Sequence, residues 1–425
     1  LLVSFYAPYN QNLPYKNTGW DQLRIYYPFY KITFDNFRNL QFPLWNPYAF
    51  SGHPHMADFQ SAVFYPLNIF GLFLPQVEFW HLMRIFPLIL GTFFTFLFLK
   101  SLNLKNLSAI FGAITFGFSP FILTWGEEVV MSPHSIIWLP LMLWAIEKFL
   151  INKNKKYILI LSLSGAFSLL GGYIQTTIYV YIFVISYVVF KNWSKLFSKA
   201  TLIIFSGFIF SGLIALIQLL PSAELFTNAA RSQITLTETL FDFLLPLRSF
   251  ITYLAPDFFG NPATWNFFRG GSAQYYEGIL FIGIATLIFA TYWIFQNFRD
   301  KMSLFLLVFA LISLSTSLDL PTSKIFLKLP IPFLSSSIPN RILFVPAFCL
   351  AILASKGVEL WISSKNQKIF KIIAAFGIIY VVLIAYLLDV KFHGFAYIKS
   401  GALSELDTYK TSLRNLVLPI GVFGL

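Results

Sequence analysis

Charge is what this sequence most conspicuously lacks. Asp, Glu, Lys and Arg make up 11% of its 425 residues, where a soluble domain carries about 25%. That deficit excludes a water-soluble core of this size. The 57% hydrophobic content is gathered in repeated apolar runs of roughly 17–25 residues, the length that crosses a bilayer. Cysteine is nearly absent: Cys349, inside an apolar run, stands alone, which excludes an internal disulfide and argues against a thiol site. A Walker motif, a Gly-rich dinucleotide loop and a Gly-x-Ser-x-Gly elbow are missing too. The span interiors hold almost no charge, with Gln175 and Gln218 as the main polar exceptions. Ion-coupled transporters usually keep an ionisable residue near the midplane, so a carrier is disfavoured.

What is present is a repeating topology. Apolar runs fall near residues 82–99, 107–125, 135–150, 157–172, 174–190, 200–220, 278–296, 302–318, 342–360 and 370–388. They predict an all-α, polytopic helical bundle of about ten complete transmembrane helices. Partial spans are expected before Pro8 and over 412–425, as in a trimmed chain, and no intact signal peptide is visible. The net charge of +12 does not mark a nucleic-acid binder, because the basic residues are not collected in one patch. Lys100, Lys105, Lys148, Lys153, Lys155, Lys156, Lys191, Lys195, Lys199, Arg299, Lys301, Lys356, Lys365, Lys368 and Lys371 fall in alternate short loops, against Glu147, Asp300 and Glu359. By the positive-inside rule those loops are cytoplasmic. The expected organisation is an outward segment over 1–81, a block of about six helices over 82–220 and a large outward loop over 221–277. A block of about four helices over 278–388 and an outward segment over 389–425 complete it. The aromatic and proline-rich first outward segment suits short amphipathic helices along the membrane surface.

Candidate chemistry collects on the outward side. Asp21, in Thr18-Gly19-Trp20-Asp21-Gln22, has two readings. It can act as a general base toward an acceptor hydroxyl, or it is the third residue of a helix capped by Thr18. His53, His55 and Asp58 offer donors for a divalent cation such as Mg or Mn, or they are ordinary loop residues. Glu127 and Glu128 follow the second span, as a substrate-orienting or metal-binding pair or as solvated loop charges. Asn340-Arg341 opens the ninth span. An arginine there can hold a phosphate through its bidentate fork or snorkel to headgroups, an ambiguity shared by Arg24, Arg84, Arg231, Arg248 and Arg269.

A family likeness emerges from the outward motifs. Asp21-Gln22, Tyr27-Pro28, Pro43-Leu44-Trp45-Asn46-Pro47-Tyr48, Gly52-x-Pro54, Gln60 and Tyr65-Pro66 resemble the signature of bacterial YfhO-type membrane proteins. Ala255-Pro256-Asp257-Phe258-Phe259-Gly260 and Asn340-Arg341 are weaker echoes. Such proteins resemble the GT-C class of glycosyltransferases. The resemblance implies a multi-span helical fold and a polyprenyl-phosphate-linked sugar as donor. It further implies transfer to an envelope polymer or lipid acceptor outside the cytoplasmic membrane. It makes the acid of the first outward loop, Asp21, the catalytic candidate. Gln22, Arg24, Trp45, Asn46, Gln60, Glu127, Glu128, Asp257, Asn340 and Arg341 are then candidates for holding substrate. A lipid or polymer-precursor flippase and a non-catalytic envelope scaffold are the rival expectations.

Overall fold

A computed structural model describes residues 21–49, 51–229, 237–264, 266–329, 331, 334, 337–364, 367–397 and 405–424. Each apolar run is largely helical, those over 107–125 and 135–150 as two consecutive helices. After α1 (Tyr27–Arg38) come α2 (Gln76–Ser101), α3 (Asn106–Gly117), α4 (Pro120–Glu128), α5 (Met131–Ile136) and α6 (Trp138–Asn152). They are followed by α7 (Lys156–Leu170), α8 (Ile174–Lys191), α9 (Lys199–Asn228), α10 (Ile284–Gln296) and α11 (Lys301–Ser317). The last are α12 (Phe344–Ser364), α13 (Lys368–His393) and α14 (Glu405–Gly424). Among the described residues, seven helical stretches are long and apolar enough to cross a membrane: α2, Asn106–Glu128, Met131–Asn152, α8, α9, Pro339–Ser364 and α13. Helices α7, α10 and α11 are shorter but apolar. The chain is an all-α polytopic membrane protein. The sheet among the described residues is one small ribbon, β1 (Trp45–Asn46) antiparallel to β2 (His53–Pro54).

Helix α12 is the hub. It packs on α10, α11 and α3, while α2 bridges α3 to α6 and α7 bridges α6 to α9. The Phe348 ring of α12 meets Phe98, Phe116 and Phe183 at 6.0, 4.8 and 5.8 Å between centroids, joining α2, α3 and α8 to the hub. Between lipid-immersed helices there is little hydrophobic drive, so close approach over small residues matters most. Gly112 lies against Ser355 and the Ala351 carbonyl, and a Cβ on Gly357 would run into the Phe289 carbonyl. Replacing Gly357 by Leu is expected to push α10 off α12 and cost at least about 2 kcal/mol, as overpacking does. An unchanged thermal midpoint in detergent would refute so tight a contact.

Three expectations need correction. Glu127 and Glu128 are not in a loop but form the last turn of α4, and Glu128 is buried. Glu147 is not a cytoplasmic loop charge. It lies in α6, buried, accepting from the Tyr187 hydroxyl at 2.6 Å and pairing with Lys191 at 2.9 Å, partners without which a buried carboxylate would be costly. The boundary expected at 220 falls inside α9, which runs on through Pro221 to Asn228. The turn over Gly171-Gly172-Tyr173 is tight as expected, with Gly172 at φ +88°, yet α7 packs chiefly on α6 and α9 rather than on α8.

The segment ahead of α2 is tied to the bundle by specific contacts. Phe70 packs on Phe86 of α2 at 5.3 Å, and Gly71 lies so close to the Phe34 ring that no side chain fits there. Arg38 donates to the carbonyls of Gly71 and Leu74 at 2.7 and 3.1 Å, satisfying backbone groups beside the apolar surface. At the far end of α9, Gln218 and Ser222 donate to the carbonyls of Met56 and Ala57, each at 2.8 Å.

Candidate functional site

The helix that leads into α1 opens with a π-helical turn, Gln22–Tyr26, before α1 takes over. Turns of this kind are frequent at functional sites. Here the turn buries Gln22 and Tyr26 while Asp21 and Arg24 stay exposed. Thr18, the expected cap, lies outside the described residues. Gln22 Nε2 donates to the Gly126 carbonyl at 3.1 Å, which pins the turn to the end of α4. Gln60 Nε2 donates to the Tyr26 hydroxyl at 3.3 Å.

From the other side comes Arg341, on the 3₁₀ turn Pro339–Ile342 that leads into α12. Its Nη1 donates to Gln175 Oε1 at 2.9 Å. Gln175 Nε2 in turn donates to the Ile338 carbonyl at 2.8 Å and the Tyr179 hydroxyl at 3.1 Å, so the amide is locked in orientation. The guanidinium carbon lies 5.3 Å from the Tyr173 ring and 6.0 Å from the Trp125 ring, within cation–π range. Nη2 stands 3.7 Å from Glu277 Oε1, too far for a hydrogen bond, and Nε has no hydrogen-bond partner. The fork is aimed but its donors are not exhausted. Its side chain is 19% exposed, whereas that of Glu277 is 1% exposed.

Tyr26 joins the two halves. Its hydroxyl is held well above the ordinary tyrosine range, first by burial, then by Tyr173 and Asp21, with Arg341 pulling the other way. Asp21 and Arg341 therefore act on one buried phenol. Tyr276, whose ring meets Trp125 edge-on at 5.0 Å, is raised by burial, then by Glu277 and Glu128, again against Arg341. Burial pushes the Glu277 carboxyl above the usual range, opposed by Arg341 and by the hydrogen bond its Oε2 accepts from the Gln274 N–H at 3.2 Å. The outcome is an exposed carboxylate, Asp21, and a partly buried, aromatic-walled arginine, both bearing on Tyr26. Such a pair can take a proton at its rim and hold an anion at its floor.

Of the residues expected at a site, Asp21, Gln22, Gln60, Glu128 and Arg341 converge here. Others have different work. Glu127 pairs with Arg84. Asn340 Nδ2 donates to the Phe243 carbonyl at 2.7 Å and holds the long loop between α9 and α10 to the bundle. Asn46 Oδ1 accepts from the Tyr48 N–H at 2.9 Å, and the Trp45 ring covers Gly52, whose φ of +105° no side chain tolerates comfortably. Asp257 accepts from the Tyr275 hydroxyl at 2.5 Å and its carbonyl from Asn415 Nδ2 at 2.5 Å, fastening the loop to α14. Arg248 Nε donates to the Arg269 carbonyl at 2.8 Å, and Arg269 is buried with Nη2 on the Ala273 carbonyl at 2.9 Å. Arg231 lies outside the described residues. Glu277, Tyr26, Tyr173 and Tyr276 were not singled out from the sequence. An acid directly before an apolar run, as in Tyr276-Glu277-Gly278, was the available signal.

The three proposed metal donors do not converge together. His53 Nε2 is 3.5 Å from Asp58 Oδ2, but Asp58 Oδ1 also caps the next turn by accepting from the Gln60 N–H at 2.9 Å. His55 turns into the core, with Nε2 2.9 Å from Thr33 Oγ1 and its ring edge-on to Phe29 at 5.1 Å. Among the described residues no group of three His, Cys, Asp or Glu side chains is placed to hold a metal ion. Burial pushes His55 down from 6.5 to about 4. The unfolded segment therefore binds the proton first, so stability is complete above about 6.5 and is lost as pH falls from there through about 4. Protection factors of the α1 amides, with the intrinsic pH dependence of exchange removed, are expected to fall across that window in the wild type and to stay constant with His55→Gln, which keeps a partner for Thr33. A fall of equal size in both would remove His55 as the cause.

Comparison of the chain with family models, curated proteins and solved structures finds no match.

Proposed function

We propose that the chain is a membrane glycosyltransferase of GT-C type, moving a sugar from a polyprenyl-phosphate carrier to an extracytoplasmic envelope polymer, lipid or protein. In this reading all ten apolar helices cross the cytoplasmic membrane, the lysine-bearing turns face the cytoplasm, and the Asp21 rim faces outward. The observation that carries it is the Arg341 fork, braced by Gln175, walled by Tyr173 and Trp125 and with Nε unpartnered, together with the turn of the exposed Asp21, which Gln22 pins to Gly126 next to Trp125. One group can accept a proton and the other can receive a phosphate. Arg341 holds the carrier phosphate. Asp21 takes the proton of the acceptor hydroxyl as its oxygen attacks the anomeric carbon. The bond from that carbon to the phosphate oxygen breaks, and the electron pair leaves with the lipid phosphate. One in-line displacement inverts the anomeric configuration. A lipid phosphate is a competent leaving group, so positioning and charge stabilisation supply most of the rate. A divalent cation is at most an accessory in this scheme. His53 and Asp58 supply two donors while His55 is occupied by Thr33, and no step runs through a metal.

The test is purified protein in sealed proteoliposomes with a short-chain polyprenyl-phosphate sugar, with and without chelator. The expected result is release of lipid phosphate and a new glycosidic bond on the face opposite the lysine-rich turns. Movement of the intact lipid-linked sugar with no new bond would replace this reading with a flippase. Neither movement nor bond formation, across a panel of sugar donors, would leave the scaffold reading in its place.

A further inference from the structure

Two charges of opposite sign sit under the aromatic walls of the site, and they are not in hydrogen-bond contact. Glu277 is almost completely buried and is held by the Gln274 N–H. Arg341 is held by Gln175 on a different element. Each is fixed by its own scaffold, with Nη2 3.7 Å from the carboxylate and Nε left as a donor without a partner. A bound anion at Arg341 therefore always has Glu277 as a neighbour.

Taking the reading of Arg341 as the phosphate-holding residue, we infer that Glu277 is a built-in repulsive charge that selects the monoanionic donor over the dianionic product and speeds product release. The chemistry of the transfer supplies the difference. The donor is a phosphodiester with one negative charge. When its bond to the sugar breaks, the phosphate keeps the electron pair and the acceptor proton passes to Asp21, so the lipid phosphate leaves as a monoester with nearly two. Arg341 alone would hold the product more strongly than the substrate. With Glu277 beside it, the pair is close to neutral, and the added product charge meets a fixed carboxylate in a water-poor site, where like charges interact strongly. Glu277 is thus a positioning residue of charge rather than a group that touches the reacting atoms.

The probe is farnesyl phosphate, titrated at pH 8 into the detergent-solubilised full chain, with farnesyl methyl phosphate as the monoanion and farnesol as the uncharged control. Glu277→Gln keeps the acceptor for Gln274 and removes the charge. It is expected to bind farnesyl phosphate at least about ten-fold tighter than wild type, with farnesol unchanged. In a turnover assay it should show a lower kcat and stronger product inhibition at similar donor KM, a split that a merely structural role would not produce. The wild type itself is expected to bind the methyl diester at least as tightly as the monoester, a measurement that stands even if the variant folds poorly. A wild type that prefers the dianion ten-fold, or a folded Glu277→Gln with unaltered affinity, overturns the inference while Arg341→Ala still weakens binding. If Arg341→Ala leaves farnesyl phosphate binding untouched, the phosphate reading of Arg341 falls, and this inference falls with it.

Discussion

Asp21→Asn is expected to slow sugar transfer by about 100- to 10,000-fold, the range over which a positioned general base contributes, while leaving the donor KM close to wild type. Asn is nearly isosteric and offers an oxygen of the same reach, but it cannot take the acceptor proton. Asp21 is exposed, and exposed substitutions away from caps and ion pairs usually change stability by no more than about 0.5 kcal/mol. A folding defect would therefore not explain the loss. In the proposed reading the donor phosphate rests on Arg341, and this change does not touch the Gln175 brace of that arginine. Asp21→Glu should recover part of the rate, since the π-helical turn that starts at Gln22 fixes the backbone but leaves the rim open to water. A measured rate for Asp21→Asn within three-fold of wild type would remove Asp21 as the base. It would turn attention to Glu128, which together with Glu277 acts on Tyr276.

How much of this was readable from the residues alone depends on whether the cause is local. The apolar helices were, because twenty apolar residues in a row admit few other structures. Asp21 and Gln22 stand out in the sequence as neighbours within a short motif, but the motif does not show what each touches. Glu147 was misread because it sits beside Lys148 at the end of an apolar run. Only the fold brings Tyr187 and Lys191 of α8 against it. The two histidines of His53-Pro54-His55 look equivalent in sequence, yet Thr33 and Phe29 of α1 draw one of them inward. Glu277 was missed for a similar reason. An acid before a span is unremarkable until Arg341, on a turn much later in the chain, is set 3.7 Å from it. Long-range pairs of single charges leave no periodicity, so pattern reading finds the scaffold and misses the partner.

That same pair allows stability and function to be separated at Arg341. Arg341→Ala leaves Glu277 buried without its cation. Breaking a buried pair costs about 3–5 kcal/mol, and the low end applies here, because the separation exceeds hydrogen-bond length and the arginine keeps some contact with water. The variant is expected to lose both thermal stability and affinity for lipid phosphate, which by itself proves little. Arg341→Met with Glu277→Gln removes both charges, keeps the chain length between Trp125 and Tyr173, and leaves the Gln274 N–H an acceptor. Replacing a buried ion pair by neutral groups of similar volume is often neutral or stabilising, so the double variant is expected to melt near the wild-type temperature. Its affinity for farnesyl phosphate should stay at least ten-fold weaker than wild type, because a neutral floor has nothing to offer a phosphate that hydrogen bonds to water do not. Arg341→Lys should fall between, keeping the charge but losing the planar fork that Gln175 aligns. A double variant that recovers binding along with stability would show that the guanidinium serves the fold and that the carrier phosphate rests elsewhere.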